Sequence, residues 1–408
     1  MIKVWTDAAD AGRLDRYGER GSTFAYLAGT PDRRAVSVTM PVRLPSWSVP
    51  FGLPPIFEMN LPEGFLRERL RLAFAKATGT FDEFDLLSVV GRSQVGRIRY
   101  TGDKEQLDED VPFQSVDEIL ERKRGGDLYR YLLEKFLSFS GISGVQPKIL
   151  VRDGEAFAQM QHTGHRLSES YKGATHIVKL GEPNEYPQLA ANEYFCLSAA
   201  RRCGLEVPPL RLSEDGTALV IDRFDLRPDG TYRGFEDFCA LNARRTDEKY
   251  RGSYESSVMK RFAQFANSTH VNEDMEKLFR LIVLNCALRN GDAHLKNFGI
   301  VYDDVEGETR LAPCYDLVTT SVYLARDSLA LTLNGSTNWP TAKQLRTLGE
   351  TRAGTPAKIR QMLDRIGKAI DDTAIEVRTY IDEHPEFAGI GQRMLEEWET
   401  GSRTSLRG

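Results

Sequence analysis

The sequence predicts an α+β chain with a small β-rich N-terminal domain, a mixed middle segment and a mainly α-helical C-terminal lobe. Three observations carry this reading. Short β-type runs and clustered prolines fill the chain up to about Asp103, whereas from Phe235 onward apolar residues recur mainly at helical spacing. At 408 residues the chain exceeds one ordinary core, so two to three structural units are expected. Boundaries are placed at 1–105, 106–225 and 226–400, with 401–408, GSRTSLRG, as a flexible tail.

Composition narrows the function classes. With 41% hydrophobic and 28% charged residues and a formal net charge of −5, the chain reads as soluble and globular. Its charge gives no global reason to bind nucleic acid directly, so contact with DNA would come only through a partner. The five cysteines, Cys196, Cys203, Cys239, Cys286 and Cys314, form no CxxC pair and fit reduced, buried thiols. The N-terminus MIKVWTDAADAGRLDR lacks an apolar signal core, and no run of about eighteen apolar residues occurs, so a cytoplasmic, non-membrane protein is expected.

In the first domain, strands are expected at Ile2 to Trp5, Thr23 to Leu27 and Val36 to Met40. Pro41, Pro45, Pro50, Pro54 and Pro55 then interrupt regular structure. A helix follows in FEMNLPEGFLRERLRLAFA, with Asn60 as N-cap and Pro62 at its start. Two further runs, Glu83 to Val90 and Ser93 to Tyr100, complete the domain, and acidic Gly102 to Asp110 reads as a linker.

The middle segment opens with a helix over Leu128 to Phe139 and passes into SFSGISGVQPKILV. Here Gly141 and Gly144 permit a close backbone approach to a ligand ahead of a strand from Lys148 to Arg152. Asp153-Gly154 signals a hairpin returning through Ala156 to Met160. Such a loop suits nucleotide phosphates but also makes an ordinary turn. In the strand THIVKL, Thr175 to Leu180, Lys179 either snorkels from an edge or meets a buried anion. The helix LAANEYFCLSAARRCG carries Glu193 and ends at Gly204. Strands at Pro209 to Leu212 and Ala218 to Asp222 lead to Asp222-Arg223-Phe224-Asp225, where backbone groups and the Phe224 face could receive adenine; simple core packing of Phe224 serves equally well.

The C-terminal lobe holds helices at EDFCALNA, Ser256 to Asn267, Met275 to Ala287, Ala342 to Leu348, Pro356 to Ala369 and Ala374 to His384. After the buried helix MEKLFRLIVLNCA, Asn290-Gly291 ends it and NGDAHLKNFGI forms a polar turn before a hairpin of Phe298 to Tyr302 with Arg310 to Leu311. Asp292 and Asn297 stand five positions apart, and Asp316 follows in LAPCYDL. Phosphoryl transfer needs a carboxylate to take a hydroxyl proton and hard oxygens to hold Mg²⁺. Asp, Asn and a second Asp in this order match protein kinases, with Tyr315-Asp316-Leu317 in place of DFG, and imply a kinase-like bilobal fold. An Asp and an Asn on a glycine-containing loop also serve as turn formers and caps.

Taken together, LPEG, SGISGVQPK, THIVKL, ANEYFCL, DRFD, EDFCAL, NGDAHLKNFG and APCYDL resemble the HipA-type serine/threonine kinases, toxins of bacterial type II toxin-antitoxin pairs. The resemblance runs from about Val4 to about Gly335. It implies Asp292 as general base toward a substrate serine or threonine, Asn297 and Asp316 as Mg²⁺ ligands, Lys179 on the ATP phosphates, and Asp222 with Phe224 at adenine. Lys148 would hold the glycine loop or the phosphates. His294 and Lys296 lie in the active-site turn, where Lys296 could neutralise transferred phosphate or either could be structural. The implied partners are a small helix-turn-helix antitoxin that binds operator DNA and a protein substrate such as an aminoacyl-tRNA synthetase. One departure stands out. A serine that is commonly autophosphorylated in the family's loop is here Gly141, leaving Ser143 and Ser140 as candidates, with Ser143 favoured, or serving only to stabilise the turn. Two alternatives stay open: a small-molecule phosphotransferase of kinase-like fold, and a catalytically idle co-repressor module.

Overall fold

The computed structural model describes residues 1–78, 81–121, 128–144, 146–153, 171–181, 186–267 and 269–407. Helix and sheet are both present, as the α+β expectation required. The chain divides into two compact units built from non-consecutive segments. Met1–Leu180, Val220–Thr246 and Val301–Glu308 form the first; Gly181–Leu219, Asp247–Ile300 and Thr309–Gly408 form the second. The consecutive domains drawn from sequence differ from this division because packing, not chain order, groups the segments.

The first unit contains an antiparallel sheet of β1 (Ile2–Thr6), β2 (Ala9–Tyr17), β3 (Gly21–Tyr26), β4 (Trp47–Val49) and β5 (Ile98–Gly102), in the order β4-β3-β2-β1-β5. Ile2, Val4, Ala11, Leu14 and Phe24 are buried at its core. β2 and β4 are unexpected; the charged ADAGRLDRY of β2 has weak β propensity but gains backbone partners on both sides. Positive φ at Asp7 and Ala8 turns the chain into it.

Other N-terminal expectations need correction. Val36 to Met40 is not a strand; it carries one isolated Ser37–Met40 bridge. Pro55–Glu58 forms a short helix of its own, and the longer helix starts at Gly64, beyond Asn60. Asn60 instead donates its side-chain amide to the Val95 carbonyl at 2.7 Å. Glu83–Val90 is a helix, because Asp82 and Asp85 close a capping box at its start.

Further along the first unit, Leu128–Phe136 is helical, and β6 (Lys148–Val151) pairs antiparallel with β7 (His176–Leu180), placing Lys148 directly opposite Lys179. The expected hairpin return over Ala156 to Met160 lies outside the described residues.

The second unit is mainly helical. The helix Leu189–Arg202 ends with Gly204 in the left-handed region at φ 82°, as a C′ glycine should. The helix Val271–Ala287 ends earlier than Asn290-Gly291. Arg289 takes the left-handed position at φ 58°, with Asn290 N–H reaching the Asn285 carbonyl at 2.9 Å and Arg289 N–H the Cys286 carbonyl at 3.3 Å. That pair of bonds is a Schellman end, here built on arginine rather than glycine. At the C-terminus, one helix of 28 residues, Pro356–Glu383, replaces the two expected. A further helix, Ala388–Ser405, extends into the tail expected to be flexible. Ser405 is fully buried there and donates to the Pro340 carbonyl at 2.8 Å, so packing orders the segment. No described helix is long and apolar enough to cross a membrane.

Candidate active site

The chemistry-bearing residues fall into one group in each unit. In the second, the Schellman end delivers the chain into NGDAHLKN. Asn290 anchors the turn, donating to the Asn285 side-chain oxygen at 2.6 Å and accepting from Asp292 N–H at 3.1 Å. A Cβ at Gly291, the next position, would press on the Asp327 carboxylate, which would have to shift. Tyr254 donates to the Ala293 carbonyl at 3.0 Å, and Leu295 N–H reaches the Lys249 carbonyl at 3.1 Å. These bonds hold the loop as a rigid platform.

On that platform Asp292 is exposed by surface area, yet the protein around its carboxyl raises the pKa above the usual aspartate value. Burial of the charged form is the largest cause, and the negative charges of Asp316 and Asp327 add to it. A hydrogen bond from the Tyr250 hydroxyl, 2.8 Å from Oδ1, and the charge of Lys249 pull the other way. His294 is buried with its ring edge-on to Tyr250 at 5.0 Å, and the buried Lys296 offers its carbonyl to the Tyr315 hydroxyl at 3.0 Å.

Asn297 and Asp316 are brought together. Asn297 Nδ2 donates to the Asp316 carbonyl at 3.2 Å, while Asn297 Oδ1 is buried without a hydrogen-bond partner. A buried carbonyl oxygen without a partner is costly, and a hard oxygen of this kind suits Mg²⁺. Asp316 itself sits at φ 51°, a left-handed conformation rare outside glycine and enriched at functional sites. Fully buried Glu193 accepts the Asp316 N–H at 3.1 Å and helps hold it there. Just beyond, Thr319 is clamped by Asn192 at 2.9 Å and by the Trp398 indole N–H at 2.7 Å. Among the described residues no three His, Cys, Asp or Glu side chains form a ready metal cage; Mg²⁺ on a nucleotide needs only one or two protein oxygens besides phosphates.

In the first unit, Lys148 and Lys179 are both buried, at 4% and 3% exposure, and stand opposite each other across β6 and β7. Directly paired like charges destabilise a sheet unless negative charge compensates them, which resolves the ambiguity over Lys179 in favour of burial. Gly144, at φ 130°, lies against Lys148: a Cβ there would be 2.9 Å from the lysine Cε. Gly141 is pressed against the preceding segment, where a Cβ would lie 2.6 Å from the Ser93 carbonyl oxygen. The two loop serines differ in setting. Ser140 is fully buried, donating to the Phe136 carbonyl at 2.8 Å and accepting from Leu150 N–H at 3.1 Å. Ser143 is half-buried and donates to the Glu63 carboxylate. Asp222 faces His176 at 3.3 Å, and Phe224 packs edge-on against Phe235 at 5.3 Å. Arg223 between them is committed to Asp225 at 2.5 Å.

Comparison with known proteins decides the family. The HipA-like C-terminal domain matches residues 140–374, and the HipA N-terminal domain matches residues 2–101. The chain belongs to the HipA family. Two Sinorhizobium fredii proteins named "Putative kinase Y4dM" and "Putative kinase Y4mE" are similar to it, at 28% identity over 79% of this chain and 74% of the relative, and 29% over 79% and 78%. The HipA of Shewanella oneidensis, solved with HipB and operator DNA, shares the fold with a TM-score of 0.66 at 19% identity, covering 98% of this chain and 97% of that one. Relatives named as kinases imply nucleotide and metal use in general terms. Tyr250, Lys249, Asp327 and Trp398 escaped the sequence reading. They lie far along the chain from Asp292 or have no motif of their own, so only the fold shows what they touch.

Proposed function

We propose that this HipA-family chain is an ATP- and Mg²⁺-dependent serine/threonine protein kinase that inhibits growth as the toxin of a toxin-antitoxin pair. The observation that carries the proposal is the junction of Asn297 and Asp316, with its unpartnered Oδ1, beside the loop that presents Asp292. Bound Mg-ATP supplies the phosphoryl group and the cation that offsets its charge. Asn297 and Asp316 hold that cation. Asp292 orients a serine or threonine hydroxyl and takes its proton. Lys148 and Lys179 neutralise nucleotide phosphates, the backbone around Gly141 and Gly144 approaches them closely, and Asp222 with Phe224 receives adenine. His294 shapes the catalytic turn, and Lys296 neutralises transferred phosphate. Ser143, rather than the committed Ser140, carries any phosphate added to the glycine loop.

The partner proposed is a small helix-turn-helix antitoxin through which operator DNA is reached, supported by the Shewanella HipA having been solved with HipB and DNA. The proposed substrate class is a translation factor, such as an aminoacyl-tRNA synthetase. Incubating the chain with γ-labelled ATP and Mg²⁺ in a bacterial lysate, then identifying labelled proteins, tests this. Label on a seryl or threonyl residue of a translation factor supports it. Label confined to small molecules points to the phosphotransferase alternative and removes the protein-kinase assignment.

A further inference from the structure

The hydroxyl of Tyr250 is an unforeseen neighbour of the proposed base. It donates to Asp292 Oδ1 at 2.8 Å although the tyrosine itself is 49% exposed. An exposed tyrosine normally gives its hydroxyl to water; here a charged acceptor holds it. The backbone explains its placement, because Leu295 N–H ties the catalytic loop to the Lys249 carbonyl, one residue before Tyr250. The ring is further steadied by the edge of His294 at 5.0 Å and by the Lys249 ammonium 5.5 Å from its centroid.

We propose that Tyr250 is a positioning residue for phosphoryl transfer, occupying one oxygen of Asp292 so that the other is held toward the acceptor hydroxyl. This rests on the assignment of Asp292 as the base. The physical reason lies in the carboxylate torsion. An aspartate χ2 is broad and roughly two-fold, so an unrestrained carboxylate samples many orientations. A charge-assisted hydrogen bond to one oxygen narrows that range and leaves the second oxygen free to accept. Lys249 and Tyr254 approach from the preceding segment, and Asp316 and Asp327 from the following one. Among these neighbours, Tyr250 donates a hydrogen bond to the Asp292 carboxylate.

Tyr250→Phe removes the hydroxyl and keeps the ring. The expected result is a kcat lowered about tenfold, the consequence of losing one hydrogen bond to a charged group, with the KM for Mg-ATP unchanged. Phosphate transfer can be followed into the chain itself as well as into lysate proteins. A crystal structure of the variant should show the Asp292 carboxylate turned or in two orientations. Tyr250→Ala, which also removes the aromatic face, should lower kcat at least as far. If Asp292 keeps one unchanged orientation in Tyr250→Phe, or kcat is unchanged, the positioning role is overturned. Asp292→Asn separates the two ideas: activity surviving that substitution overturns the base assignment, whereas an inert Asp292→Asn beside a fully active Tyr250→Phe overturns only the role of Tyr250.

Discussion

Asp292 is costly to the fold in its ionised form. Its pKa is raised, chiefly by burial, so the folded state holds a proton more tightly than the unfolded chain. The ionised form therefore destabilises the protein above the raised folded pKa. That penalty fades as pH falls toward the unfolded value near 3.9. Asp292→Asn should accordingly raise Tm at neutral pH, with the gain shrinking on acidification; a gain that grew as pH fell would contradict the sign. Gly141 illustrates a different constraint. The family's serine cannot be restored there without forcing a side chain onto the Ser93 carbonyl and Gln94. Gly141→Ser should lower stability by about 1–3 kcal/mol, the usual cost of overpacking, as read by chemical denaturation. A variant as stable as wild type would show that the site is looser than its geometry. At this scale Asp292, Asn297 and Asp316 were legible because their spacing is a property of sequence. Tyr250 was not, since 42 positions separate it from Asp292.

Among the elements, the loop that carries Asp292 owes its shape to how its neighbours end. The Schellman turn at Arg289 places an arginine where glycine is usual, while Asp316 takes a left-handed conformation that aspartate reaches more readily than most residues; packing maintains both. Trp398 is part of that support. Fully buried on the helix Ala388–Ser405, it holds Thr319, three residues after Asp316, through its indole N–H. Trp398→Phe should cost about 1–3 kcal/mol by leaving a buried hydroxyl underbonded, and weaken Mg-ATP binding measured by calorimetry because the Asp316 segment loosens. Unaltered affinity would disconnect this helix from the site. Long periodic elements such as Val271–Ala287 were readable from sequence. For Glu83–Val90, eight residues are too few for periodicity to separate helix from strand, and the capping box is the better signal. The strand Ala9–Tyr17 was missed because its stability comes from pairing rather than composition.

For the molecule as a whole, the family assignment covers both the N-terminal sheet and the site-bearing segments, from residues 2–101 and 140–374. The consecutive motifs were visible in the sequence, but the grouping of distant segments into two units was not, because long-range packing leaves no local pattern. We propose that Asp292 acts in phosphoryl transfer on a platform that binds Mg-ATP independently of it. This is tested most directly by measuring, on the same preparations, calorimetric Mg-ATP affinity and phosphate incorporation from γ-labelled ATP for wild type and Asp292→Asn. The expected result is closely similar affinity, with incorporation lowered by about 10²-fold or more in the variant. Equal incorporation by the two proteins would contradict it.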